Sequence, residues 1–384
     1  MLKRRDFVPT YAILQNPGHN RVYFQAARKL AQIELQYASR CLSAPIENVR
    51  EESLGGVIYL LFDMQSPLTD GDCIVLSRLS FTYAIFSITD SVSTSSSTSI
   101  SISNGNPLLT PLMKNPAYFF ESDDISTILK YTGKTNELFT RMMLNIACFT
   151  YSTNKLPLQG ELSIFDPLCG KGTTLFEGLL CGHNVYGIEI DSKTVHEAYT
   201  FLKKYLETAR YKHNTHQERI GTAAGTAQRY QLTLSRSKND IINEKDKKDK
   251  KATTLQAEFI SGDTRQIGSF YKKNSFHAIV GDLPYGVQHG SKSHKNEMRN
   301  ALPLLSEALP GWHRALKQGS VIVLAWNLFL ISREEMEYTL IRHGFELPDF
   351  FVNFVNSVNF VKKHDFSHRV DQAIERDIIV GRKK

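Results

Sequence analysis

The sequence predicts an α/β protein whose larger part is built on a mostly parallel sheet, and three observations predict it. From about residue 110 onward, short apolar runs alternate with segments of helical period, the pattern of a parallel sheet with helices on both faces. The first of those runs ends in an acid and a glycine-rich turn, and the next two also end in acids. The composition is that of a folded chain: 384 residues, 41% hydrophobic and 22% charged, enough for one large or two ordinary domains and incompatible with wholesale disorder.

Residues 1–90 read as a small α/β domain. Val8–Leu14, Gly56–Phe62 and Phe81–Ile88 are strand-like, and Val22–Leu42 carries apolar residues at helical spacing. A ferredoxin-like arrangement fits this order, and a scaffold or docking role is the expectation. Ser91–Ser103 has ten Ser or Thr in 13 residues and is followed by Asn104-Gly105-Asn106-Pro107. Residues 91–110 therefore read as a linker. The second domain is placed at 111–384, with a polar insertion at 211–254 that ends in the mixed-charge run KNDIINEKDKKDKK.

Within the second domain the expected strands are Leu162–Phe165, Val185–Ile190, Ala257–Ile260, Phe276–Val280 and Val321–Trp326. Helices are expected at Thr173–Leu180, Ser192–Thr208, 299–317 and 332–343. In such sheets ligands bind at the carboxyl ends of the strands, which is where chemistry is sought.

Other function classes recede on simple counts. The longest strongly apolar run, Val321–Ile331, has 11 residues against the roughly 20 that span a bilayer. No membrane segment and no secretory leader are expected. The five cysteines, Cys41, Cys73, Cys148, Cys169 and Cys181, are scattered without a CxxC, so neither a disulfide framework nor a metal site follows, and a reducing, cytoplasmic compartment is expected. The formal net charge of +7 leans toward a polyanionic partner.

The sharpest cofactor signal is Asp166-Pro167-Leu168-Cys169-Gly170-Lys171-Gly172-Thr173-Thr174. Gly170 and Gly172 permit a tight turn and close approach of a ligand to backbone. The helix beginning at Thr173 points free N–H groups at it. A phosphate loop of the form GxxxxGK[ST] is excluded because position 165 is Phe and Gly172 follows Lys171. A dinucleotide fingerprint lacks its third glycine, since position 175 is Leu. Asp166 at the strand end suits a cofactor with a cationic amino group and no phosphate, which describes S-adenosylmethionine (SAM). Glu189, 23 residues later, has the spacing of an acid that accepts ribose hydroxyls, and Asp263 ends the third strand, where it can accept from an adenine amine. A strand-end Asp also serves as an ordinary helix cap; three acids on successive strand ends outweigh that reading.

The fourth strand ends in Asp282-Leu283-Pro284-Tyr285-Gly286. Methylation of an exocyclic amine needs acceptors for both amine hydrogens, so that the nitrogen lone pair turns toward the methyl donor. The Asp282 carboxylate and the Pro284 carbonyl supply two, and Tyr285 supplies a flat face for a base drawn out of its stack.

Together, DPLCGKGTT, GIEID, GDT and DLPYG resemble the class I SAM-dependent N-methyltransferases. Within them the chain resembles the THUMP-associated tRNA guanine-N2 methyltransferases of the position-ten group. Gly133-Lys134-Thr135-Asn136-Glu137-Leu138-Phe139-Thr140-Arg141, His368-Arg369-Val370-Asp371-Gln372 and Arg376-Asp377-Ile378-Ile379-Val380 extend the resemblance across about 115–384. It implies a Rossmann-like, seven-stranded sheet whose last strand, near Ile374–Val380, is antiparallel. It also implies that Asp166, Gly170, Gly172 and Thr173 line the methionine part of SAM, that Glu189 holds the ribose and Asp263 the adenine, and that Phe139 and Thr140 close the site. Asp282, Pro284 and Tyr285 would be the catalytic residues and RNA, as tRNA, the partner. Two departures stand out: residues 1–90 carry no THUMP signal, and Leu283 replaces the first proline of the commoner DPPY.

Three functions follow in order: an RNA N-methyltransferase forming N2-methylguanosine in tRNA, a DNA amino-methyltransferase acting on adenine N6 or cytosine N4, and a non-catalytic SAM- or RNA-binding module. The loop 287–295 and the stretch Lys362, Lys363, His364, His368 and Arg369 are basic and could meet phosphates or simply face solvent. Trp312 and Trp326 read as core, and Cys169 as a small packing residue.

Overall fold

The computed structural model describes residues 9–16, 21–89, 107–113, 118–131, 133–151, 162–223, 225–235, 254–286, 301–348 and 366–384. They fall into two units, one ending at Ala117 and one beginning at Tyr118.

The first unit runs β1 (Thr10–Gln15), α1 (Arg21–Ala38), β2 (Ile46–Leu54), β3 (Val57–Met64), α2 (Asp70–Arg78), β4 (Thr82–Thr89) and β5 (Leu108–Leu112). Its sheet has the order β2-β3-β1-β4-β5, with every neighbouring pair antiparallel. Thr69 starts α2 with a reciprocal capping box to Asp72. Glu34 of α1 is fully buried and accepts from the Ser80 amide at 3.0 Å and its hydroxyl at 2.5 Å, which ties α1 to the turn after α2. The sequence reading missed β2 because IENVREESL is mostly polar and only Ile46 in it is buried. Leu108–Leu112, placed by the sequence across the end of the linker, instead forms an edge strand on β4; Pro111 is tolerated there because an edge has spare positions without ladder bonds. The Ser-rich run 91–103 lies outside the described residues.

The second unit opens with α3 (Ile125–Ile128) and α4 (Glu137–Tyr151). Then come β6 (Ser163–Asp166), α5 (Thr173–Leu180), β7 (Asn184–Glu189), α6 (Ser192–Thr208), β8 (Lys212–Thr222), β9 (Gly225–Ser235) and β10 (Thr254–Ser261). After a 3₁₀ turn come α7 (Ile267–Phe270), β11 (Phe276–Asp282), α8 (Ala301–Ala315), β12 (Leu316–Asn327), α9 (Arg333–Arg342), β13 (Phe345–Glu346), β14 (His368–Arg369) and β15 (Glu375–Lys383). The sheet order is β13-β15-β12-β11-β6-β7-β10-β9-β8, with β14 paired to β15. β10, β7, β6, β11 and β12 are mutually parallel, and β15 is antiparallel to β12.

Among the described residues the sheet has ten strands in place of the seven expected. The main reason lies in 211–254, which the sequence assigned to a polar insertion: Lys212–Thr222 and Gly225–Ser235 form a hairpin that extends the sheet from β10. Tyr230-Gln231-Leu232-Thr233-Leu234 alternates with period two, and Leu232 and Leu234 are fully buried, whereas β8 is polar and largely exposed. That alternation is the signal that the charged neighbourhood obscured. Residues 236–253 lie outside the described residues.

Both faces of the sheet are covered. Ile267, Leu309, Trp312 and Met336 of α7 to α9 pack with Phe276 and Ile279 on one side. Leu175 and Leu179 of α5 and Val195 and Leu202 of α6 pack with Val185 and Phe259 on the other. Trp312 and Trp326 are both core, as expected, and each indole N–H has a partner, Thr264 Oγ1 and the Ile331 carbonyl, both at 2.9 Å.

Candidate active site

The carboxyl ends of β6, β7 and β11 carry three acids. The β6–α5 turn is shaped by Gly170 at φ +49° and Gly172 at φ +90°, a left-handed conformation that favours glycine. Gly187 in β7 serves a different need: a Cβ there would lie 2.6 Å from Cys169 Sγ. Cys169 is thus a buried packing group, and burial pushes its thiol well above the usual range, aided by Asp166 and Glu189, so it is no thiolate nucleophile.

Asp166 is 3% exposed and accepts from the Leu168 amide at 3.0 Å. Burial pushes its carboxyl up to about 7; hydrogen bonds from Thr174 and Leu168 oppose the rise, and the negative charges of Asp282 and Glu189 add to it. Glu189 accepts from the Gly170 amide at 3.2 Å and the Asp191 amide at 3.0 Å, and burial raises its pKa in spite of those bonds. Around the turn the structure therefore presents carboxylates and backbone amides. That set fits a ligand with cationic and hydroxyl groups and opposes a pyrophosphate. Thr173 bonds the Tyr131 hydroxyl at 3.1 Å, and Lys171 lies over the Tyr131 ring at 5.1 Å while pairing with Glu197 at 2.8 Å.

Asp263 stands at the end of β10 but already has a partner. It accepts from the Arg265 amide at 2.9 Å and pairs with the guanidinium at 2.7 Å; Arg265 also reaches Glu307 at 3.0 Å. Burial would raise the Asp263 pKa, but the bonds from Arg265 outweigh it and the net shift is downward.

Asp282 ends β11 and is held from two directions. Its Oδ2 accepts from Thr135 Oγ1 at 2.7 Å, and its Oδ1 accepts from the Tyr285 hydroxyl. Burial, with the Asp282 charge, keeps the Tyr285 phenol well above its usual range and hence protonated; Arg376 opposes the shift. The Arg376 guanidinium lies 5.0 Å from the Tyr285 ring centroid and 4.3 Å from that of Phe139. Asn327 Nδ2 donates to the carbonyls of Tyr285 at 3.4 Å and Ala373 at 3.0 Å. Leu283 donates its N–H to the Ala325 carbonyl at 2.9 Å, a bond that a proline at this position could not make.

Thr135 owes its position to α4. Arg141 is buried and pairs with fully buried Glu177 of α5 at 2.8 Å, while Ser126 Oγ donates to the other Glu177 oxygen at 2.5 Å. This pair fixes α4 against α5. Phe139 is fully buried beside Arg376 and His368, and the Thr140 hydroxyl donates to the carbonyl of Asn136, the residue before α4, at 3.2 Å.

The structure thus brings Asp166, Gly170, Gly172, Thr173 and Glu189 together around one turn, and Asp282, Pro284 and Tyr285 into another. Sequence reasoning missed Thr135, Asn327 and Arg376 as parts of the second. Thr135 and Arg376 lay inside segments quoted for the family resemblance, but nothing in the chain order pairs them with Asp282 and Tyr285. The basic loop 287–295 and Lys362, Lys363 and His364 lie outside the described residues.

Residues 149–333 match the UPF0020 family model, described as RMKL-like, methyltransferase domain. The matched segment contains the glycine turn and all four strand-end acids. The segment is thus similar to a SAM-dependent methyltransferase domain.

Several solved structures are similar to the chain at low identity. TrmN from Thermus thermophilus aligns with 98% of this chain and 100% of its own at 11% identity and a TM-score of 0.42. The T. thermophilus 16S rRNA N2 G1207 methyltransferase RsmC, solved with AdoMet and guanosine, aligns with 88% of this chain and 58% of its own at 14% identity and 0.35. A TehB-like SAM-dependent methyltransferase from Corynebacterium glutamicum aligns with 59% of this chain and 83% of its own at 14% identity and 0.30. No curated protein matches the chain. Among the described residues, no helix is long and apolar enough to cross a membrane.

Proposed function

We propose that the methyltransferase domain methylates an exocyclic amine of an RNA nucleobase, guanine N2 in tRNA. The observation that carries this reading is the Asp282 carboxylate in its DLPY turn, held by Thr135 and Tyr285. A carboxylate offers about four lone-pair sites, and these two donors leave acceptors free for an amine hydrogen.

In this reading Asp166, Gly170, Gly172 and Thr173 hold the methionine part of SAM, Glu189 the ribose hydroxyls and Asp263 the adenine amine, with Phe139 and Thr140 on the α4 side. SAM supplies an electrophilic methyl group. Asp282 accepts one amine hydrogen and the Pro284 carbonyl the other, which turns the nitrogen lone pair out of the base plane. Asp282 need not be a strong base, because the proton can leave after the methyl has moved. Tyr285 braces Asp282 through its hydroxyl and offers a ring face to the base. RNA is favoured over DNA in this reading by the resemblance of the DLPYG turn and its neighbouring motifs to the tRNA guanine-N2 methyltransferases. The β-α-β-β-α-β order of β1 to β4, with β5 added at the edge, supports a ferredoxin-like reading of the first unit, serving as a scaffold or docking module.

Nucleoside mass spectrometry of tRNA, rRNA and DNA from cells with and without the gene tests the assignment. Loss of N2-methylguanosine from tRNA is expected. Loss of a methyladenine from DNA, with guanosines unchanged, would transfer the assignment to DNA.

A further inference from the structure

The carboxyl end of β12 carries a surface feature that the amine-methylation reading does not use. Leu328, Phe329 and Leu330 follow Asn327 in a turn tied down at each residue. The Leu328 amide donates to the Glu375 carbonyl at 2.7 Å, the Phe329 amide to Asn327 Oδ1 at 3.2 Å, and the Leu330 amide to the Asn327 carbonyl at 3.0 Å. On this fixed turn Phe329 is 53% exposed and Leu330 is 37% exposed, as is Val370, the chain neighbour of Arg369. The guanidinium of Arg369 lies over the Phe329 ring at 5.3 Å. Arg369 is itself oriented by bonds to the carbonyls of Asp371 at 2.5 Å and Gln372 at 2.8 Å.

The patch borders the catalytic turn through shared partners. Asn327, which anchors the Phe329 amide, also donates to the Tyr285 carbonyl. Arg369 lies on β14, whose other residue, His368, pairs in register with Arg376, the guanidinium over Tyr285. An aromatic ring held in water on a rigid turn, with a cation on one face, is the chemistry that recognises a base and its phosphate together. Arg369 spends Nε and one terminal nitrogen on carbonyls, and among the described residues its other donors remain for an anion.

Resting on the RNA reading above, we propose that Phe329 and Arg369 form a stacking platform for an unpaired RNA nucleotide adjacent to the methylated base. Drawing the target base into the site leaves its neighbour without a stacking partner; Phe329 replaces that partner and Arg369 pairs with the neighbour's phosphate. A second copy of the chain is a poorer occupant, because three partly exposed apolar side chains around a cation fall far short of the roughly 1,200 Å² that a stable interface buries.

The test is methyl transfer from labelled SAM to total RNA from cells lacking the gene, by the full chain and its Phe329→Ala, Phe329→Tyr and Arg369→Ala variants, with SAM affinity and light scattering recorded for each. Phe329→Ala is expected to raise KM for RNA about tenfold with kcat and SAM affinity within about twofold, Phe329→Tyr to restore KM, and Arg369→Ala to raise KM and flatten its salt dependence. Unchanged KM in Phe329→Ala, with wild-type transfer intact, overturns the platform and leaves the amine-methylation reading standing. Unchanged KM with loss of a wild-type dimer assigns the patch to a second copy and equally overturns the proposal. Absence of transfer to any RNA by the wild-type chain overturns the underlying reading, and the platform with it.

Discussion

The two acid-bearing turns of the methyltransferase domain are built in opposite ways. At the β6–α5 turn the acids are satisfied within a short span of chain: Asp166 by Leu168 and Thr174, and Glu189 by Asp191 and by Gly170, 19 residues before it. At the β11 turn the Asp282 carboxylate depends partly on Thr135, 147 residues away, and Tyr285 is flanked by Asn327 and Arg376. The first turn is a local device of backbone amides and one hydroxyl, that of Thr174, and it leaves its carboxylates weakly stabilised as anions. The second is an assembled device of side chains that orients one carboxylate. In the reading proposed above, the methionine and ribose side of the cofactor site draws on neighbouring stretches of chain, whereas the amine-orienting side requires the whole sheet to be in place.

The contrast is sharpened most by Asp282→Ala. Loss of the oriented acceptor should lower kcat on the order of a thousandfold while SAM affinity, measured by calorimetry, stays within a few-fold. Retained transfer would remove Asp282 from the mechanism.

Asp166→Asn probes the other turn. Because the folded protein holds Asp166 at about 7, well above the ordinary carboxyl value near 3.9, the folded state binds the extra proton between those limits. Stability should therefore fall as pH rises from about 4 to about 7 and stay lowered above it, by on the order of 2–4 kcal/mol. Asp166→Asn should remove that fall in urea titrations at pH 5 and pH 8. Affinity for SAM should rise between pH 6 and pH 8 in the wild type, as the carboxylate forms, and lose the part of that rise due to Asp166 in the variant.

Thr135→Val removes one of the two hydroxyl donors on Asp282. A hydrogen bond to a charged group contributes about 1.5–3 kcal/mol, so kcat should fall roughly tenfold or more with little change in SAM affinity. Equal losses in both would make Thr135 a general packing residue. The smallest effect is expected from Arg265→Ala. Its pairs with Asp263 and Glu307 are partly exposed, so the stability change should stay below about 1 kcal/mol, while SAM affinity reports whether Asp263 is freed to bind adenine.

The same contrast explains what the sequence made legible. The parallel strands, α5 and α6, and the acids of both turns stand out because apolar runs and strand-end acids are local patterns. The β8–β9 hairpin was obscured because its polar outer strand sits beside a charged run, although Leu232 and Leu234 alternate in β9. Thr135 and Arg376 were unreadable as partners of the catalytic turn because only the packing of α4 and β15 against the sheet brings them there. Leu283 was read as a departure from a proline pattern, and the structure gives it a use: its N–H continues the hydrogen bonding to β12.

The central claim is tested most directly by incubating total RNA from cells lacking the gene with the purified protein and methyl-deuterated SAM, then digesting the RNA to nucleosides for mass spectrometry. The account requires deuterium in N2-methylguanosine with the wild type and none with Asp282→Ala. Deuterium in a different nucleoside, or equal labelling by Asp282→Ala, would contradict it.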